Sequence, residues 1–180
     1  QASKITDQLL TYVGRGMLQP RDIDLSDCIE VVVDQVRRGL PSNISLEVVR
    51  DQNIPVVRID PDHFEDVLGN LCANARDAMP DGGVIRINCD VRRGAGIRGG
   101  DGPTGPFVGV EVSDHGLGIS PDDLSHVWEP YYSTHKSGGG MGLAMAKGFA
   151  NQSGGEVTIT SAVGKGTIVT LLLPVSDVTG

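Results

Sequence analysis

Three stretches of the 180-residue chain carry apolar side chains at helical spacing, near 24–40, 61–79 and 143–152, and shorter stretches between them alternate in steps of two. A helix buries one stripe and a strand buries one face. Interleaved elements of both kinds therefore reach a common core most simply as helices laid on a sheet. The expected fold is an α/β two-layer sandwich of the α+β kind, with a mixed sheet of about five strands and three main helices on one face. The first helix starts at Asp24 or Ser26, either of which could cap it, and runs to about Leu40 with Cys28, Ile29, Val32, Val33 and Val36 inward. Strands are expected over 44–50 and 56–59, and Asp60-Pro61-Asp62 then opens a second helix with proline near its first turn. Further strands are expected over 84–91 and 107–112, a short helix over 121–127, and a closing hairpin of 157–160 and 167–173 across Val163-Gly164-Lys165. Between Arg92 and Pro106 six glycines and almost nothing apolar mark a surface excursion. Ahead of all this, Ile5, Leu9, Tyr12, Val13 and Met17 stripe one isolated N-terminal helix that has nothing within itself to cover it.

Composition narrows the partners. A net charge of -8 and a pI near 4.8 repel a phosphate backbone over most of the surface, so no nucleic-acid partner is expected. Cys28, Cys72 and Cys89 are far apart, odd in number and set in apolar runs, which reads as reduced core thiols. No run approaches the ~18 apolar residues of a membrane span and no signal-peptide pattern begins the chain. A cytoplasmic location without direct membrane contact is expected, in a parent free to be anchored upstream. Gly94-x-Gly96-x-x-Gly99 matches a dinucleotide fingerprint, but Gly100-Asp101-Gly102-Pro103 cannot open the helix that fingerprint requires.

Within the second helix Asn70 and Asn74 stand four residues apart, so their amides share a face, costly to bury and suited to gripping a hydrated cation. Downstream come Asp114-His115-Gly116-Leu117-Gly118, Trp128-Glu129-Pro130-Tyr131-Tyr132, Gly138-Gly139-Gly140-Met141-Gly142-Leu143, and Gly164-Lys165-Gly166-Thr167. In that order the blocks resemble the N, G1, F and G2 boxes and the terminal glycine-threonine box of the catalytic ATP-binding domain of sensor histidine kinases. The wider superfamily, of Bergerat fold, is shared with gyrase, Hsp90 and MutL ATPases. Asn74-Ala75-Arg76-Asp77-Ala78-Met79-Pro80 resembles the nitrogen-regulation and hybrid-kinase branches.

The resemblance implies ATP and Mg2+. Asn74 is the candidate magnesium ligand, a neutral amide oxygen on a rigid helix, with phosphates and water supplying the rest. Asn70 could position water or phosphate. Hydrolysing relatives usually carry a glutamate there, and an amide cannot accept a proton near neutral pH, so this site should activate water poorly and pass phosphate to an external nucleophile. Asp114 should accept a hydrogen bond from the adenine amino group, with Gly116 and Gly118 letting the backbone turn tightly. By resemblance, Thr167 reaches the adenine region through water and Asp77 belongs to the nucleotide pocket. Gly138, Gly140, Gly142 and Leu143 open a helix whose free N–H groups can cradle a triphosphate. Lys136 could reach the γ-phosphate as a flexible point charge. Trp128 and Tyr132 either fix a lid over nucleotide or pack the core.

The domain reading assigns 1–19 to the second helix of a dimerisation and phosphotransfer hairpin, 20–26 to a linker, 27–175 to the catalytic domain and 176–180 to a tail. All four histidines fall in the ATP-binding part, so the phosphoaccepting histidine is expected on a hairpin outside this chain. Implied partners are that hairpin, a second copy of the parent and a response-regulator receiver domain in a two-component phosphorelay. Alternatives are a conformational ATPase of the gyrase or MutL kind, or a degenerate nucleotide-binding regulatory module.

Overall fold

The computed structural model of the chain describes residues 18–93, 105–133 and 142–176. The expected N-terminal helix, most of the glycine-rich excursion, Lys136, Gly138 and Gly140 lie outside the described residues. The elements run β1 (Arg21–Ile23), α1 (Leu25–Gly39), β2 (Ile44–Arg50), β3 (Val57–Ile59), α2 (Pro61–Asp77), β4 (Gly83–Arg92), β5 (Phe107–Asp114), α3 (Pro121–Leu124), α4 (Gly142–Gln152), β6 (Glu156–Ala162) and β7 (Gly166–Pro174).

A five-stranded sheet has the order β2-β4-β5-β7-β6, with β2 parallel to β4 and the other neighbours antiparallel. Helix α2 packs against both α1 and α4, and all three lie against one side of the sheet. The alternation seen in the sequence becomes two faces. Ile87, Val112, Val169 and Ile159 form one row across four strands toward the helices, while the adjoining row, Arg86, Ser113, Ile168 and Thr160, faces away. Phe64, Phe149, Ile29, Leu68 and Leu171 are fully buried between the layers, each contributing about 1.5–3 kcal/mol of hydrophobic stabilisation. The mixed five-stranded sheet with three main helices on one face is the expected sandwich.

All three cysteines are buried and none is in a disulfide. Burial pushes the thiols of Cys72 and Cys89 up to about 12, and burial with the Glu65 carboxylate pushes Cys28 to about 11. Among the described residues no helix is long and apolar enough to cross a membrane.

The structure resolves and amends local expectations. Asp24, not Ser26, caps α1, its side chain accepting the Ser26 N–H at 2.8 Å. The short helix stops at Leu124, because the chain turns through Ser125 and His126 to bury Val127 beneath the loop. Residues 21–23, read as linker, form β1 and pair antiparallel with β3. Ser176 binds into the same ribbon, its hydroxyl donating to Asp22 at 2.8 Å and its N–H to Val56 O at 2.8 Å.

Asp60 joins that ribbon to α2. It caps the helix by accepting the His63 N–H at 3.1 Å and also accepts the Gln19 N–H at 2.9 Å. Burial acts to raise its pKa, but those N–H groups prevail and hold it below the ordinary value. A depressed folded-state pKa means that the stabilisation is present above the unfolded pKa and lost as pH falls through the folded one. Asp60→Ala is therefore expected to cost about 1 kcal/mol near neutral pH. Urea unfolding should show that gap to wild type narrowing below about pH 4; a gap that widens in acid would contradict the assignment.

Candidate functional site

One cleft opens between α2, the loop after β5, the start of α4 and the adjoining ends of β5 and β7. Asn74, Asp77, Asp114, Gly118, Tyr132, Gly142, Leu143 and Thr167 all line it. Asn70 and Gly116 are not among the lining residues but adjoin two of them, Asn70 at Gly142 and Gly116 at Ala78.

Helix α2 supplies the amide wall. Asn74 is exposed toward the cleft, and a Cβ placed on Gly142 would sit 3.2 Å from Asn74 Nδ2 and 3.4 Å from Asn70 Cβ, so the first turn of α4 rests on the asparagine pair. Asn70 turns to α4 itself, its Nδ2 donating to Met145 Sδ at 3.8 Å. Asp77, one turn beyond Asn74, takes the Arg76 Nε–H at 3.1 Å.

Strand β5 delivers Asp114 to the cleft with only 7% of its surface exposed. Its Oδ1 accepts the Gly116 N–H at 2.8 Å, which fixes the carboxyl group and the turn together. The Leu117 N–H then donates to Ala78 O at 2.8 Å, and the Gly164 N–H to Leu117 O at 2.8 Å. The loop is thereby tied to the end of α2 on one side and to the β6–β7 turn on the other. Thr167 stands directly across from Asp114 in the β5–β7 register. Next to it, on β6, is Ser161, which the sequence reading did not single out. Its signal was the hairpin register, which sets Ser161 opposite Thr167.

Tyr132 lines the cleft and donates its hydroxyl proton to Asp123, whose other oxygen accepts from Ser120 Oγ at 2.9 Å. These bonds, that of Tyr132 first, hold Asp123 below the ordinary carboxylate range, and the carboxylate in turn raises the Tyr132 phenol. The His126 ring lies 5.3 Å from that of Tyr132, and its Nδ1 is 2.9 Å from Glu129 Oε1. Trp128 instead meets α4, with Lys147 Nζ 5.9 Å from its ring centroid. The aromatic block thus divides, Tyr132 lining the cleft and Trp128 lying under the Lys147 side chain of α4. Asp123 and His126 were not foreseen, because only the fold of this loop brings them to Tyr132. His115 is exposed, as its turn position implies.

Chemically, the cleft offers an amide wall, a helix N-terminus whose first N–H groups have no partner within the helix, and a buried carboxyl group beside a hydroxyl. Among the described residues no group of three or more His, Cys, Asp or Glu could hold a metal ion. A divalent cation here would depend on ligand phosphates and water around the one amide oxygen of Asn74, a donor set that suits magnesium.

Residues 59–177 match the family of histidine kinase-, DNA gyrase B- and HSP90-like ATPases, and the chain belongs to it. Among its relatives, the sensor kinase CckA of Brucella abortus (strain 2308) is 35% identical over 179 residues, 97% of this chain and 19% of that protein. The sensor histidine kinase ZraS of Escherichia coli (strain K12) is 31% identical over 175 residues, 97% of this chain and 35% of that protein. The solved structure of the mycobacterial sensor histidine kinase MprB superposes with a TM-score of 0.66 at 25% identity, covering 88% of this chain and 97% of that one. The chain thus spans between 19% and 35% of the length of these two curated relatives.

Proposed function

We propose that this chain is the ATP-binding catalytic domain of a sensor histidine kinase, transferring the γ-phosphate of ATP to a histidine on a helical hairpin of its parent for relay to a receiver aspartate. The observation that carries the reading is the asparagine pair seated under the start of α4, with an amide where a water-activating carboxylate would be needed. An amide takes no proton from water near neutral pH, so the reaction is left to a nucleophile that arrives on another module. Asn74 would hold magnesium, which supplies charge neutralisation on the phosphates when bound. Asp114 and Thr167 would hold the adenine, and the amides opening α4, with Gly138, Gly140 and Lys136, the phosphates. Asp77 and Tyr132 would border the same pocket. In the parent, residues 1–19 would continue the hairpin and pair it with a second copy, and 20–26 would link it to the catalytic part, in the cytoplasm.

Calorimetry with and without magnesium, followed by radiolabel transfer to a supplied hairpin, tests this. Expected are MgATP binding, label on the hairpin histidine, and no phosphate release by the 180-residue chain alone above buffer. Sustained phosphate release by the chain, with no label on any hairpin, would favour the conformational-ATPase reading and overturn this one.

A further inference from the structure

We infer that Ser161 is a positioning residue for base selection: it fixes the Thr167 hydroxyl as an acceptor toward the cleft, so that the base-binding end presents acceptors side by side. The inference rests on the nucleotide reading above and adds to it the group that sets specificity. Ser161, Thr167 and Asp114 stand in one row across β6, β7 and β5. Asp114 and Thr167 line the cleft, whereas Ser161, on the far side of Thr167 from Asp114, does not.

The Ser161 hydroxyl has three partners: the Ile119 N–H at 2.8 Å, the Gly166 carbonyl at 2.9 Å and Thr167 Oγ1 at 2.8 Å. A hydroxyl has one proton to give and two lone pairs to receive with. A carbonyl only accepts, so the one proton of Ser161 goes to Gly166 O. The Ile119 N–H only donates, so it occupies one lone pair. What remains for Thr167 is the second lone pair, and the Thr167 proton therefore points at Ser161, away from the ligand. Thr167 turns lone pairs to the cleft, next to the Asp114 carboxylate. An exocyclic amino group has two protons to offer such a pair, directly or through water. A carbonyl at the same atom of the purine would face acceptors on both sides. Left to rotate, the Thr167 proton could serve either base, and the distinction would blur.

The test is the ratio of dissociation constants for ITP and ATP, which differ by carbonyl against amino at that atom, measured by calorimetry on wild type, Ser161→Ala, Thr167→Val and the double variant. Wild type should favour ATP. Ser161→Ala should narrow the ITP/ATP ratio by about tenfold, the scale of one misdirected hydrogen bond. Thr167→Val leaves the Ser161 bonds to Ile119 and Gly166 in place and should narrow the ratio similarly. Adding Ser161→Ala to it should change nothing more, since Ser161 acts through Thr167. Ser161→Thr, which keeps a hydroxyl, should retain the wild-type ratio. Equal weakening of both nucleotides in Ser161→Ala would reduce Ser161 to a structural role and overturn the inference. So would an unchanged ratio in Thr167→Val, a readout that stands even where Ser161→Ala fails to fold. Wild type that binds neither nucleotide, or both equally, would instead sink the nucleotide reading itself.

Discussion

Asparagine in place of Asp114 is expected to weaken ATP binding by about 100-fold, or about 2.7 kcal/mol, while leaving the domain folded. The substitution separates two duties of one side chain. Oδ1 of Asp114 holds the Gly116 N–H at 2.8 Å, and an amide oxygen can keep that bond. The second oxygen becomes an NH2 group, which on the proposed placement of adenine would bring a donor against its donating amino group, in a position only 7% exposed to solvent. A charge-assisted bond is lost and a donor is left facing a donor, both costly at a largely buried carboxyl position. Calorimetry with ATP, alongside thermal unfolding to confirm an intact fold, reads the two effects independently. ATP affinity within about threefold of wild type, well under the 1.4 kcal/mol of a tenfold change, would remove Asp114 from base recognition.

The second large effect is structural. Gly166→Ala should destabilise the domain by about 3 kcal/mol, from a disfavoured backbone conformation together with overpacking. Gly166 has φ of +90°, and an added Cβ would lie 2.0 Å from Asp114 O and 2.8 Å from His115 Cα. Those atoms are backbone of the neighbouring strand and cannot step aside. Relief would have to come from parting β5 and β7 where Asp114 faces Thr167, so nucleotide binding should fall with stability. Gly164 is the control. It has φ of +74° in the same turn, but nothing lies within 4 Å of its added Cβ. Gly164→Ala should then cost only the backbone term, about 1–2 kcal/mol. Urea midpoints compared across the two variants measure the difference. Equal losses would mean that the close approach to β5 carries no energy.

Much of this architecture is legible along the chain because it is local. Asp60-Pro61 announces a capped helix start, and the Asp60 side chain does accept the His63 N–H. The alternation in 157–160 and 167–173 gives a hairpin, and the structure extends its first strand to Ala162, which sets Ser161 against Thr167. The choice between Asp24 and Ser26 was not legible, since both residues carry a capping oxygen and only the backbone angles at Asp24 decide it. Nor was β1, whose three residues are too few to show a period and exist as a strand only through β3. Helix α3 was read too long because Val127, placed well for a helix, is drawn into the core instead. Among site residues, the blocks contained Asn74, Asp77, Asp114, Gly118, Tyr132, Gly142, Leu143 and Thr167, which line the cleft beside apolar residues they did not point to. They did not show that Asn70 braces Met145 or that Tyr132 is held by Asp123. Those pairings join side chains whose meeting depends on how α4 and the loop after α3 are laid down.

What the sequence determined by itself is therefore the kind of each element and the kind of each functional group: amides on a helix, a carboxyl group at a strand end, glycines where backbone must pass close. Spacing and side-chain chemistry are properties of neighbours along the chain, so they need no fold to be read. Only the tertiary structure decided which of those groups share a cleft, and which partners surround the hydroxyls on β6 and β7. A hydrogen bond takes its direction from every partner at once, and the partners of Ser161 come from the loop after β5, from its own hairpin turn and from the strand beside it.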